Sequence, residues 1–131
     1  MAMVEMVFVL PLLILLVFAI AQFGLMFSRW LTLSNAVREG ARAGVTFDPP
    51  CVAANVTTRA TNAVVSYANA GGVPIAAGDV TVSGQCEDGK GGRPLNPLVV
   101  NADYDFKLNI PFASINTVNL HYSSSMRNEG S

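Results

Sequence analysis

Charge is scarce in this chain of 131 residues, and Glu5 is the only charged side chain among the first 28. No Lys or Arg precedes the apolar run that follows, and the net charge of −1 gives no field that would attract nucleic acid or an acidic membrane surface. A basic start and a small-residue cleavage site are also missing, which excludes a secretory signal peptide. We therefore expect the apolar segment to be retained in the working protein.

Residues that carry out catalysis or bind metal ions are few. His121 is the only histidine and falls on the polar face of a predicted strand, so we interpret it as an ordinary surface residue. The glycines around Lys90 lack the spacing of a phosphate-binding loop. Asp103 and Asp105 share a strand face and could contribute to an oxygen-rich cation site, although a solvated face explains them better. We expect no catalytic residue, no metal site and no cofactor.

The apolar residues are concentrated at the N-terminal end. The chain is 51% hydrophobic and 13% charged, which is too apolar for an ordinary soluble domain. The run from Met6 to Phe27 has no charge, and about 20 such residues suffice to span a bilayer as a helix. We predict a membrane-spanning segment within residues 1–28 and a small folded domain over residues 45–131.

The apolar run continues without a helix breaker as far as Gly44, and the prolines at positions 49 and 50 must end the helix. The sequence therefore predicts one helix over residues 1–44, about 66 Å long at a rise of about 1.5 Å per residue. Pro11 lies inside this helix, where its ring removes one backbone hydrogen bond. It predicts a kink or a short unwound stretch.

Two patterns mark the C-terminal half of the helix. Ala36, Gly40 and Gly44 recur at every fourth position, and small residues at this spacing let helix backbones approach closely. This stripe could pack against a sister helix or against the globular domain of the same chain. Arg38 and Arg42 are also four residues apart, so they share a face and repel each other unless acidic groups from another surface meet them.

Glu5 is a candidate functional residue, because a carboxylate near the edge of a membrane segment is costly unless it is paired or hydrated. The nearest positive charge in the same layer is the amino group of Met1, either of the same chain or of a neighbouring copy. A pair between staggered copies would set the register of a polymer. The alternative is that Glu5 only marks the water interface of a membrane helix.

Four features together resemble the TadE-like branch of the type IV pilin superfamily: Glu5, Pro11, the long helix and the motif Asn35-Ala36-Val37-Arg38-Glu39-Gly40-Ala41-Arg42. Residues 4–13 look like the hydrophobic signature of those proteins, and residues 38–42 look like their second marker. The resemblance covers residues 1–44. Met6 departs from the pattern, in which an aromatic residue is more usual at that position.

The resemblance implies an α+β, type IV pilin-like fold and a structural function without enzymatic activity. It implies that a prepilin peptidase removes a leader so that Met1 is the mature N-terminus, and that subunits are stored in the inner membrane. The pilus assembly machinery would then build them into a helical, extracellular filament of identical subunits that serves adhesion or surface attachment. The residues to which this interpretation gives a role in assembly are Met1, Glu5, Pro11, Gly24, Arg38, Gly40, Arg42 and Gly44.

Two other functions stay open at this stage. One is a minor pseudopilin of a pilus or secretion assembly complex, which would be present in few copies. The other is a single-span, membrane-anchored binding domain that never leaves the bilayer.

The rest of the chain predicts a second helix and a small, antiparallel sheet. Apolar residues at three- and four-residue spacing indicate a helix from Cys51 to Ala70, which the glycines at positions 71 and 72 end. Alternating polar and apolar residues predict three strands, and a turn-rich loop occupies positions 87–97. The predicted strands cover residues 80–83, 100–110 and 118–126.

Cys51 and Cys86 lie outside the membrane segment, and their separation of 35 residues matches no metal or redox motif. A disulfide is the natural pairing. In an oxidising compartment it would constrain the unfolded chain by about 3 to 4 kcal/mol, which is useful for a domain with a small core. The alternative is two buried, free thiols.

Overall fold

The computed structural model describes residues 2–46, 51–84, 86, 97–108 and 117–127. Two helices, a short 3-10 helix (Ala77–Asp79) and three strands make up this part of the chain. The strands form one antiparallel sheet in the order β1-β2-β3. The elements are α1 (Ala2–Val45), α2 (Ala53–Ala70), β1 (Val80–Ser83), β2 (Leu98–Phe106) and β3 (Val118–Met126). The predicted α+β fold, with a long N-terminal helix, is confirmed.

The two halves of α1 have different surroundings, although the helix is continuous over 44 residues. In the N-terminal half, the most apolar 18-residue window has none of its residues buried. The C-terminal half is amphipathic and supplies a large part of the core, with Leu33, Ala36, Val37 and Ala41 fully buried. The globular part of the molecule therefore includes the C-terminal half of α1 together with α2 and the sheet.

Pro11 does not interrupt α1, which is helical on both sides of it and at the proline itself. The unwound stretch that the sequence allowed is therefore not present. The carbonyl of Val7 loses its usual amide donor at this point, because proline has no N–H.

The helices α1 and α2 pack side by side in opposite directions. Gly44 lies against Val56 and Ala60, whereas Thr32 of α1 lies against Gly71 just after α2. The apolar face of α2 is buried in this contact and under the sheet, through Val56, Ala60, Val64 and Ala68. A short connection between the helices is compatible only with this antiparallel arrangement.

The sheet covers the other side of the same core. In β2 the residues Leu98, Val100, Ala102 and Phe106 are buried, as the period-two pattern predicts. The strand ends at Phe106 and not at position 110, because β3 begins at Val118, the partner of Phe106. Positions 109–116 and 87–96, which include most of the predicted turn-rich loop, lie outside the described residues.

Candidate assembly site

The surface of α1 from Met3 to Phe27 is an exposed apolar column, which we call the apolar segment. Most of its large side chains are between 46% and 86% exposed, as Phe18 and Met3 illustrate, whereas Met26 is partly buried against the core. Apolar patches of this size on a folded subunit indicate a membrane or protein partner. The apolar segment is the one part of the described chain that is long and apolar enough to cross a membrane.

Glu5 lies exposed in the first turn of α1 and has no ion-pair or hydrogen-bond partner among the residues that the structure describes. A carboxylate in the first turn is favoured by the helix dipole, but this effect is small beside the cost of burial in an apolar layer. Met1, whose amine is the expected partner, lies outside the described residues. The pairing of Glu5 with a neighbouring copy therefore stays a prediction.

Pro11 and Gly24 are also exposed on the apolar segment. A Cβ atom added at Gly24 would have no atom of the described residues within 4 Å. Nothing in the described part of the subunit therefore requires a glycine at this position. A close approach at Gly24, if one exists, must come from another molecule.

Gly40 and Gly44 lie in the opposite environment, buried against α2 of the same chain. A Cβ atom at Gly40 would come within 2.2 Å of Val64 Cγ2 and 3.0 Å of the Ala60 carbonyl oxygen, and one at Gly44 within 2.4 Å of Leu98 Cδ2. The stripe of Ala36, Gly40 and Gly44 could pack against a sister helix or within the subunit, and the structure shows packing within the subunit. We therefore do not retain Gly40 and Gly44 as assembly residues.

Arg38 is held by a tyrosine, where the sequence suggested an acidic partner. Its Nη2 donates a hydrogen bond of 3.0 Å to Tyr122 Oη, and its guanidinium carbon lies 5.9 Å from the centre of the Tyr122 ring. Ser34, which is only 6% exposed, is hydrogen-bonded to the same phenol oxygen. Tyr122 thus joins β3 to α1, and Arg38 stabilises the subunit from within.

The same contacts lower the pKa of Tyr122 from its usual value of 10.0, first through the Ser34 hydrogen bond and then through the Arg38 hydrogen bond. Both groups stabilise the phenolate, so the folded state favours deprotonation. The resulting stabilisation of the folded state is full above the ordinary pKa and is lost as the pH falls through the lowered pKa.

We expect an ultraviolet titration in detergent to show one tyrosine, Tyr122, ionising at a lower pH than the others. This early step should disappear in Tyr122→Phe and move to higher pH in Arg38→Gln, and an unchanged midpoint in Arg38→Gln would contradict the assignment.

Arg29 and Trp30 join α1 to the sheet of the same subunit, through contacts that the sequence alone does not reveal. Arg29 Nη1 donates a hydrogen bond of 2.9 Å to Tyr104 Oη, and the guanidinium carbon lies 5.1 Å from the centre of the Phe106 ring. Trp30 contacts Tyr122 edge-on, with ring centres 6.1 Å apart. These partners are 75 or more positions away, so the only local signal was an arginine beside the first tryptophan after an apolar run.

Arg42 and Glu39 are exposed on the outer face of α1, and neither has an ion-pair partner within the described part of the chain. The repulsion expected between Arg38 and Arg42 is reduced because Arg38 turns toward Tyr122. Arg42 is therefore accessible to a neighbouring molecule, and its role in assembly stays a prediction.

Cys51 and Cys86 form a disulfide, with Cα atoms 5.8 Å apart. The bond joins the chain just before α2 to the segment after β1, on the side of the domain that lies far from the apolar segment. This pairing is the one expected from the sequence.

The exposed aspartates of β2, Asp103 and Asp105, pair with His121 and Asn119 of β3. His121 Nδ1 lies 2.7 Å from Asp103 Oδ1, and Asn119 Nδ2 donates a hydrogen bond of 2.9 Å to Asp105 Oδ1. Among the described residues, no three His, Cys, Asp or Glu side chains are placed to hold a metal ion. These contacts are cross-strand pairs on a solvated face of the sheet.

The C-terminal half of α1 packs under an antiparallel sheet, and its N-terminal half extends from the domain as an exposed apolar column. This is the architecture of a type IV pilin-like subunit. Residues 1–42 match the family model of the TadE-like proteins, which confirms the resemblance seen in the sequence over that segment. This family is associated with the assembly of Tad pili. No curated protein and no solved structure matches the chain.

Proposed function

We propose that the protein is a structural subunit of a Tad-like, extracellular filament, without enzymatic activity of its own. The subunit is held in the inner membrane by the apolar segment and is then assembled into a helical polymer of identical copies. The filament serves adhesion or attachment to surfaces. The TadE-like match over residues 1–42 supports the link to pilus assembly.

The observation that carries the proposal is the division of α1 into a packed half and an unpacked half. A helix of this length has no reason to extend so far beyond its own domain unless a second environment covers it. Lipid and sister helices are about equally apolar, so one surface suits both the stored and the assembled state. One face of the C-terminal half is already buried within the subunit, so this half holds the domain in a fixed position relative to the apolar segment.

Glu5 fits this scheme as the residue that sets the register of assembly. In the bilayer it can reach the water layer at the membrane surface, whereas in a filament core it must find a counter-charge on another copy. We propose that this counter-charge is the amine of Met1 of the adjacent subunit. The exposed Arg42 and Gly24 would meet neighbouring subunits farther along the same helix.

Shearing of cells that produce the protein tests this function. We expect mechanical shear to release the protein as sedimentable material that forms thin filaments in negative-stain electron micrographs. A single-span, membrane-anchored domain would remain with the membrane fraction. A minor pseudopilin would appear in the sheared fraction only in trace amounts relative to another pilin, and either of these two results would contradict the proposal.

A further inference from the structure

Among the described residues, four side chains at the end of the globular domain nearest to the apolar segment form what we call the lower rim: Phe27, Arg29, Trp30 and Lys107. Phe27 is 57% exposed and Trp30 is 37% exposed, and their rings stack with centres 6.1 Å apart. Lys107 is exposed and has no ion-pair or hydrogen-bond partner among the described residues. The described contacts within the subunit therefore leave Phe27 and Lys107 largely uncovered and cover Trp30 only in part.

The path of β2 along α1 determines the level along the helix axis at which Lys107 lies. The strand begins with Leu98 against Gly44 and ends with Phe106 under the guanidinium of Arg29. Eight residues of strand cover about 26 Å, and the 15 residues of helix between Gly44 and Arg29 cover about 22 Å. The strand therefore descends along the helix, and Lys107, the next residue after Phe106, lies at the level of Arg29.

The distance between the charged residues Glu5 and Arg29 along α1 can be compared with the thickness of a bilayer. Glu5 and Arg29 are 24 positions apart, which corresponds to about 36 Å of helix. The hydrocarbon core is about 30 Å thick, and the bilayer with its headgroups about 40 to 45 Å. If Glu5 lies at one surface, then Arg29 falls in the headgroup layer of the other surface.

Along the described part of α1, no spacer lifts the domain away from this layer. Leu33, a fully buried core residue, is only four positions after Arg29, or about 6 Å along the helix. One headgroup layer is itself about 5 to 7 Å thick. The bottom of the globular domain must therefore touch the headgroups when the apolar segment spans the bilayer.

The side chains of the lower rim suit that position. Trp residues are enriched at the membrane interface, where an apolar ring with one polar N–H lies between hydrocarbon and water. Lys107 presents an ammonium group at the height of the lipid phosphates. The Arg29 guanidinium is already held by Tyr104 and the Phe106 ring, so its charge is kept out of the hydrocarbon.

We propose that the lower rim is a phospholipid contact surface, which seats the globular domain directly on the bilayer and fixes the depth of α1 before assembly. The occupant is the phospholipid headgroup layer, because the rim is continuous with the apolar segment and lies one bilayer thickness from Glu5. A sister subunit is the competing occupant, and the experiment distinguishes the two. The proposal concerns single subunits in a membrane and does not depend on filament formation.

Trp30 is the only tryptophan of the chain, so its fluorescence reports directly on the rim. The full chain is reconstituted at low density in phosphatidylcholine–phosphatidylglycerol vesicles that contain lipids brominated near the headgroup or near the end of the acyl chain. We expect headgroup-proximal bromines to quench Trp30 several-fold more strongly than deep ones. Quenching by aqueous iodide alone would overturn the proposal. Protection from both lipid and aqueous quenchers would also overturn it, because a sister subunit would then cover the rim.

A pair of relocated tryptophans tests the position of the sheet. Trp30→Phe is combined with Lys107→Trp in one variant and with Arg127→Trp in its control. Arg127 is exposed and follows Met126, the partner of Leu98 at the far end of the sheet. Both variants replace one exposed cation by the same side chain, and circular dichroism checks their folding. We expect headgroup bromines to quench the fluorophore at position 107 several-fold more than at position 127, and equal quenching would show that the domain does not lie on the bilayer.

Discussion

Replacement of Glu5 by Ala is expected to abolish filaments while membrane insertion stays normal. In the filament core the substitution would leave the amine of the adjacent Met1 buried without its counter-charge, and loss of one partner of a buried pair costs about 3–5 kcal/mol. In the proposed filament this cost would recur at every subunit, so we expect the polymer to fail even if each contact is only partly lost. The measurement is the amount of protein in the sheared fraction, compared with the amount in the carbonate-washed membrane fraction.

Two further variants separate charge from shape at this position. Glu5→Gln keeps the size of the side chain but removes the charge, and we expect it to behave as Glu5→Ala does. Glu5→Asp keeps the carboxylate and should restore a measurable fraction of the filaments. Wild-type filament yield in Glu5→Gln would show that the carboxylate does not pair with an amine, and that Glu5 only marks the water interface of the membrane helix.

The elements of this fold were predictable because their signals are local. The long apolar run, which continues into residues 28–44, predicts α1, and strict alternation predicts β2 and β3. The end of β2 was placed four residues too far, since alternation continues to position 110 while the partner strand begins only at Val118. A strand ends where its hydrogen-bond partner ends, and this property belongs to the sheet as a whole.

The contacts of the candidate site were less predictable, because they join distant parts of the chain. Arg38 and Arg42 look equivalent in the sequence, yet β3 brings Tyr122 to Arg38 and leaves Arg42 exposed. The Ala36, Gly40 and Gly44 stripe indicates close helix packing but carries no information on which helix approaches. Only the position of α2 decides that the neighbour belongs to the same chain.

A comparison of Gly40→Ala with Gly24→Ala is expected to separate packing within the subunit from packing between subunits. The added methyl group at Gly40 would lie 2.2 Å from Val64 Cγ2 and 3.0 Å from the Ala60 carbonyl oxygen, so α1 and α2 must move apart. Overpacking of this kind costs about 1–3 kcal/mol, part of which is offset by the higher helix propensity of alanine, about 1 kcal/mol. At Gly24 the same methyl group meets no atom of the described residues within 4 Å.

Denaturant unfolding of the full chain in detergent, followed by the near-ultraviolet circular dichroism of the tyrosines and Trp30, measures the difference. Gly40→Ala should lower the unfolding midpoint, and Gly24→Ala should leave it unchanged. Val64→Ala provides the internal test, because a smaller side chain at position 64 removes the clash. The double variant should therefore be less destabilised than the sum of the two single changes. Strict additivity would show that Gly40 does not pack against Val64, and the stripe would then be available to a sister helix after all.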